Sequence, residues 1–263
     1  MEQGSAALRR GGRPRQGQPV IDRAFAVLAA FSASHRRLTL RQLSRRAGLP
    51  EPTAHRLVSR LTALGALERD EAGRYVVGVR LLEIASLAPR GHGLRQVALP
   101  YMGDLFEVTR QHVLLAILEG DQAVLVERLS PRGGPTVPYR VGGRLPLHST
   151  AVGLTLLCHA DHATRERVLS GDLVYEPEGT PVSPGAVRAQ LAEVRRSGLS
   201  TIRRPDLKPA LFSVAAPLYD ADRHVVAALS TACPIGALDP QAAGHLVRVT
   251  ARAVSRALAR DGR

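Results

Sequence analysis

The sequence predicts an α+β protein in two parts, a small helical head closed by a β-hairpin and a larger mixed domain. Three observations predict it. Apolar residues recur at three- and four-residue spacing from Val20 to Leu64. Near His112 the pattern shifts to runs that suit strands, and these then alternate with helical segments to the end. The positive charge is also concentrated in the first part: residues 1–100 carry 17 arginines against 7 acids, and the rest only 19 basic against 16 acidic residues.

At 263 residues the chain is long enough for two modest cores. Its net charge of +13 implies attraction to a polyanion or an acidic surface. Lys208 is the single lysine, so arginine supplies almost all of that charge. No apolar run reaches the length a bilayer requires, and the basic N-terminus lacks the apolar stretch of a secretory signal. Cys158 and Cys233 do not make a disulfide framework. A soluble, cytoplasmic protein without a membrane partner is expected.

Residues 1–18, rich in Gly, Arg and Gln, read as a disordered basic arm. From Val20 a first helix presents Ile21, Ala24, Val27, Leu28 and Phe31 on one apolar face. Thr39 precedes a second helix with Leu40, Leu43 and Ala47 inward, and Gly48 stops it. A third helix begins at Glu51 or Pro52, where proline suits the first turn, and ends before Gly65. Three short helices with glycine between the second and third fit a helix-turn-helix. The segments ALERD and RYVVG flank Glu71-Ala72-Gly73 as a hairpin. Together these make a winged helix-turn-helix over residues 19–78.

On the third helix Ala54, Leu57, Val58 and Leu61 must face the core. Opposite them lie Pro52, Arg56 and Ser59, flanked by Thr53, His55 and Arg60, on the helix that in this motif enters the major groove. Arginine can read guanine with two hydrogen bonds, worth about 1–3 kcal/mol per good contact. Arg41 lies on the preceding helix, and Arg69 and Arg74 bracket the wing. Exposed charge on a helix is ordinarily just solvated. Motif, wing and local charge excess agree here on double-stranded DNA.

Residues 79–93 read as a linker helix region, and 94–263 as one domain. A helix over Leu94–Thr109 contains Pro100, which either restarts or kinks it. Strands are expected on both sides of Gly120-Asp121 and over 137–142. Helices follow over 150–160, in DHATRERVLSG and in SPGAVRAQLAEVRRSG. STIRR and a pair turning at Asp220–Arg223 give three more strands. Asp239-Pro240 caps a last helix with Ala243, Leu246, Val247, Thr250, Val254, Ala257 and Leu258 inward. Its outer ridge, Arg248, Arg252, Arg256 and Arg260, is expected to be solvated.

With these residues in view the chain resembles the IclR family of bacterial transcription regulators. The head and linker, LRQLSRRAGLPEPTAHRLVSRLTALGALERDEAGRYVVGVRLLEIASLA, carry the likeness, and it continues through LPYMGDLFEVTRQHVLLAILEGDQAVLVERL. GRLPLHSTAVGLTLL, RRSGLSTIRR and SVAAPLYDADRHVVAALSTACP are similar to the family's ligand-sensing domain. The resemblance implies a linker helix that mediates dimerisation and a GAF-like C-terminal effector domain. It implies a homodimer or dimer of dimers on a near-palindromic operator, with repression as the expected sign. It further implies a small organic acid or aromatic effector, held by the backbone at Ala151 and Val152 and by Asp206, Ser213, Ser230 and Ala232. Leu154 stands where the family commonly has Lys, and Arg110-Gln111-His112 where it has Gly-Glu-[Ser/Thr].

Other chemistries find less support. Cys158, His159 and His162 lack the spaced pairs of a structural zinc site. His148-Ser149 has neither a third group nor a strained nucleophile turn. There is no phosphate-binding GxxxxGK[ST] or GxGxxG, and nine aromatics make a poor single-strand stacking surface. The expectation is therefore no catalytic residues, no metal and no cofactor. The alternatives are an architectural DNA binder without effector and a metabolic enzyme with a DNA-binding head.

Overall fold

In the computed structural model, which describes residues 19–32, 34–88, 93–133, 139–175 and 180–261, the chain divides after Ala88 into two compact units. The basic arm expected over residues 1–18 lies outside the described residues.

The first unit is built from helices α1 (Val20–Ala29), α2 (Leu40–Ala47) and α3 (Glu51–Ala63). Thr39 starts α2 with a reciprocal cap: its hydroxyl accepts from the Gln42 amide, and the Gln42 side chain accepts from the Thr39 amide at 2.8 Å. Gly48, at φ 66°, turns the chain out of α2 in the left-handed region. Ser44 fixes that turn by donating its hydroxyl to the Leu49 carbonyl at 2.7 Å. Val27, Leu43, Leu49, Ala54, Leu57 and Val58 close the small core. Strands β1 (Leu67–Arg69) and β2 (Tyr75–Val77) form the wing, and Leu38 and Tyr75 exchange backbone bonds that pin it to the head. Helix α4 (Val79–Ala85) follows, still within the first unit.

One expectation about α1 needs correction. Val27 is buried and Ala24, Leu28 and Phe31 pack partly buried against the same core, but Ile21 on that stripe is 70% exposed. The stripe overestimates what three short helices can cover, because α1 has apolar residues on more than one side.

The second unit is a six-stranded antiparallel sheet in the order β5-β4-β3-β10-β9-β8, with helices on both faces. Its strands are β3 (His112–Glu119), β4 (Gln122–Leu129), β5 (Arg144–Pro146), β8 (Ser200–Arg204), β9 (Leu211–Tyr219) and β10 (Val225–Pro234). Short strands β6 (Val174–Tyr175) and β7 (Thr180–Pro181) pair separately. Helices α6 (Ala151–His159), α7 (His162–Leu169) and α8 (Pro184–Ser197) pack a core on one face. Helices α5 (Leu94–Thr109) and α9 (Pro240–Asp261) pack a second on the other. Pro100 sits inside α5 without dividing it. Asp161, Ser183 and Asp239 accept from backbone amides three residues on, as N-caps do.

The strand expected over 137–142 is displaced. Residues 137 and 138 lie outside the described residues, and 139–142 form no strand. The pairing segment is Arg144–Pro146, in register with Gln122–Val124 of β4. Pairing to an existing edge decides which residues extend, and local propensity is a weaker guide.

Candidate nucleic-acid interface and ligand cavity

Helix α3 divides its residues cleanly. Ala54, Leu57 and Val58 are buried, while Pro52, His55, Arg56, Ser59 and Arg60 are exposed and Thr53 is half-buried. Arg41 is exposed on α2. Among the described residues the side chains of Arg41, Arg56 and Arg60 make no hydrogen bond or ion pair, so their guanidinium donors remain available. That leaves a cationic ridge on the second helix of a helix-turn-helix, presented by a core that holds the helix still.

The wing arginines are already engaged. Arg69 lies over the Tyr75 ring, 4.7 Å from its centroid, and donates to the Tyr75 hydroxyl. Arg74 donates through Nε to Asp70 at 3.2 Å. Asp70 also accepts from the backbone amides of Ala72 and Arg74, at 3.1 and 2.9 Å, so one carboxylate shapes the whole turn. The Arg74 amide foremost, and the Arg74 charge, hold the Asp70 carboxyl below its ordinary range, against an opposing effect of burial. The two wing arginines are therefore oriented by the hairpin, whereas those of α3 are free to reach.

In the second unit a cavity of about 80 Å³ opens between the sheet and the start of α6. Ala151, Val152, Ser213, Ser230 and Ala232 all line it. The register explains their convergence: Ser213 of β9 is opposite Ala232 of β10, and Ser230 is two residues along on the same face. Thr150 caps α6 by accepting from the Gly153 amide at 3.0 Å, which aims the helix start at the cavity. Gly153 is required there. A Cβ on it would meet the Pro146 carbonyl at 2.5 Å and the Leu147 Cα at 2.7 Å.

Asp206 departs from its expected position. It does not line the cavity; its carboxylate instead grips Arg204, which does, with Nη2 to Oδ2 at 2.6 Å and Nε to Oδ1 at 3.1 Å. Arg204, Tyr139, Ser149 and Thr150 are lining residues that sequence reasoning missed. STIRR ends in two arginines, and only the period-2 alternation of a strand could have singled out Arg204 as the inward one. Leu154, where the family commonly has Lys, is buried in the core beneath α6.

Cys158, His159 and His148 each make a bond to a backbone carbonyl. Cys158 is buried with its Sγ 3.5 Å from the Leu191 carbonyl, and burial pushes its thiol pKa up. His159 Nδ1 bonds the Thr155 carbonyl at 2.8 Å, and His148 Nε2 the Val174 carbonyl at 2.8 Å.

Residues 20–71 match the family model described as the IclR helix-turn-helix domain, and residues 88–256 that of the bacterial transcriptional regulator IclR C-terminal domain. An IclR homologue from Microbacterium hydrocarbonoxydans, crystallised with 4-hydroxybenzoate, superposes with a TM-score of 0.84 at 34% identity, over 91% of this chain and 99% of that one. The Pca regulon regulatory protein of Pseudomonas putida is 31% identical over 82% of this chain and 74% of its own length. The transcriptional repressor AllR of Escherichia coli K12 is 28% identical over 95% of this chain and 97% of its own.

Proposed function

We propose, for a chain that belongs to the IclR family of bacterial transcriptional regulators and so binds DNA under the control of an effector, that the α3 ridge reads its operator and that a small aromatic acid governs it. The observation that carries the reading is the division of α3. Its buried side fixes the helix, and its free side offers Arg56 and Arg60 with Ser59 and Thr53 beside them. Arg56 supplies base readout in the major groove, Arg60 and Arg41 phosphate contacts, and the wing arginines backbone contacts.

The effector reading rests on the cavity. The cavity is small for such a ligand, so its walls must part to admit a planar acid, which would then find the Arg204 guanidinium, the hydroxyls of Ser213 and Ser230, and apolar walls from Leu114, Ile202 and Leu211. A guanidinium already aligned by Asp206 pairs well with a carboxylate. The Microbacterium relative holds 4-hydroxybenzoate, which makes that compound the first probe. Binding can change operator affinity only through unequal affinity for DNA-competent and DNA-incompetent states, and the coupling is reciprocal.

The protein acts as a homodimer or a dimer of such dimers. Exposed apolar residues on α1 (Val20, Ile21, Phe25) and α4 (Val79, Leu82, Ile84) form the kind of surface that a second copy covers. Two-fold symmetry then calls for a near-palindromic operator. Repression is the sign proposed, and the cytoplasm the site of action. Among the described residues no helix is long and apolar enough to cross a membrane.

The test compares binding to the DNA upstream of its own gene with binding to random duplex at one stated salt concentration. Strong preference for the upstream duplex is expected, with release on adding 4-hydroxybenzoate. In Ser230→Phe the added ring fills the cavity, so DNA binding persists and release is lost. Equal affinity for both duplexes would instead favour an architectural DNA binder.

A further inference from the structure

A larger cavity than the one beside α6 lies away from both sites already described. β8 pairs with β9 only as far as Ala215, so the last four residues of β9 leave an open notch at the sheet edge. The C-terminus of α8 and the outer face of α9 close the notch into a cavity of about 540 Å³. Its floor is apolar, from Ala216, Pro217 and Ala251. Its rim is cationic, from Arg223, Arg248, Arg252 and Arg256, with Asp220 the one acid among the lining residues.

The ridge on α9 expected to be solvated is exposed at Arg252, Arg256 and Arg260 and half-buried at Arg248, and the first two line this cavity with Arg248. Arg248, Arg252 and Arg256 stand four apart on one helix face, spanning about 12 Å, so their like charges repel. Arg248 donates to the Ser197 carbonyl at 3.0 Å and so caps α8. Arg252 and Arg256 have no hydrogen-bonding or ionic partner among the described residues. Arg167, Arg188 and Arg196 of the same unit are ion-paired, with Asp121, Glu166 and Glu193, whereas Arg252 and Arg256 line one cavity together without such a pair.

Arg223 adds a second indication. It occupies the β9–β10 turn at φ 66°, a conformation that favours glycine or asparagine. Its guanidinium lies 5.0 Å from the Tyr219 ring centroid, at the cavity mouth. The nearby Asp220 carboxylate is occupied within the same turn, accepting from the His224 amide at 2.8 Å, with His224 Nδ1 3.9 Å away.

We infer that this notch is a second ligand site, which takes a small organic polyanion carrying two or more phosphate or carboxylate charges. Four guanidiniums against one carboxylate demand more than one negative charge, and the fork of arginine suits either anion. The volume is that of a small-molecule pocket. The open edge of β9 is closed to an added strand. Pro217 has no amide hydrogen, and the Tyr219 amide donates to the Ser255 hydroxyl at 3.0 Å. The site lies at the open edge of the sheet, shares no lining residue with the aromatic-acid cavity of the same unit, and is independent of the operator reading.

Calorimetry on the full chain in 150 mM NaCl tests this, with inorganic pyrophosphate and citrate as probes. One of them is expected to bind with a submillimolar Kd, and the preferred one identifies the anion. The double variant Arg252→Gln/Arg256→Gln should weaken binding at least tenfold while leaving operator affinity unchanged. Arg223→Gly should weaken it several-fold and melt no lower than the parent, since glycine accepts that backbone conformation freely. Ser230→Phe and Arg60→Gln should leave pyrophosphate and citrate binding as they are. Absence of binding by both probes, or binding that survives the double variant, would overturn the inference. So would a double variant that loses operator affinity, because the ridge would then be a DNA-backbone contact.

Discussion

Arg204 and Asp206, two residues apart at the end of β8, form a bidentate pair whose guanidinium is buried at the cavity wall and whose carboxylate is exposed. The acid therefore stands one step back from the cavity, holding a guanidinium that lines it. Asp206→Asn should keep the fold but loosen the hold on Arg204, raising the Kd for 4-hydroxybenzoate several-fold. Arg204→Met should abolish binding of the acid, while a neutral phenol of the same shape discriminates less between parent and variant. Calorimetric titrations of both ligands check this; equal loss for acid and phenol would mean that Arg204 is only structural.

Arg56 is exposed and unpaired among the described residues, so its removal should spare stability and cost recognition. Arg56→Ala is expected to weaken operator binding by about 1–3 kcal/mol with an unchanged melting temperature. It should also relax selectivity at one base pair per half-site. Arg60→Ala should instead weaken all duplexes alike and reduce the salt dependence. Fluorescence anisotropy across an operator substitution series distinguishes the two.

Gly153 cannot accept a side chain without moving β5 or the α6 cap, since a Cβ would sit 2.5 Å from both the Pro146 carbonyl and Thr150 Oγ1. Gly153→Ala should destabilise the second unit by roughly 1–3 kcal/mol, as overpacking does. It should weaken 4-hydroxybenzoate binding as well, since α6 carries Ala151 and Val152 into the cavity. Thermal unfolding and calorimetry measure the two effects; a variant as stable as the parent refutes the close approach.

Asp70 organises the wing through two backbone amides and Arg74. Its carboxyl pKa is lowered in the folded state. The contribution to stability is therefore complete above the unfolded value of about 3.9 and is lost as pH falls through the lower folded value. At neutral pH the wing is intact. Asp70→Asn should release Arg74 and speed amide exchange across Leu67–Val77, with operator affinity reduced a few-fold. Hydrogen exchange that matches the parent would show that the turn holds itself.

Much of this was legible along the chain because its causes are local. Thr39, Asp161, Ser183 and Asp239 announce helices since a cap needs only an acceptor and the amides just beyond it. The α3 ridge was readable from helical periodicity alone, whereas the cavity set Ser213, Ser230 and Ala232 was legible only through the family likeness. What escaped depends on residues far apart in sequence. Arg204 enters the cavity because β8 pairs with β9 in one register, and the strand after β4 falls at Arg144–Pro146 because an edge was waiting there. The apolar stripe of α1 was read as core although part of it remains uncovered within its own unit.

The amino-acid order by itself determined the elements, their ends and the division into a basic reading head and a mixed sensing domain, since capping, periodicity and charge act over one or two turns. Only tertiary structure decided which arginines are free and which are held. A guanidinium meets its carboxylate, carbonyl or ring through packing that brings distant strands and helices together. That difference separates Arg56, which is free among the described residues, from Arg74, already bound to Asp70, and from Arg252 and Arg256, which line a notch whose one lining acid is Asp220.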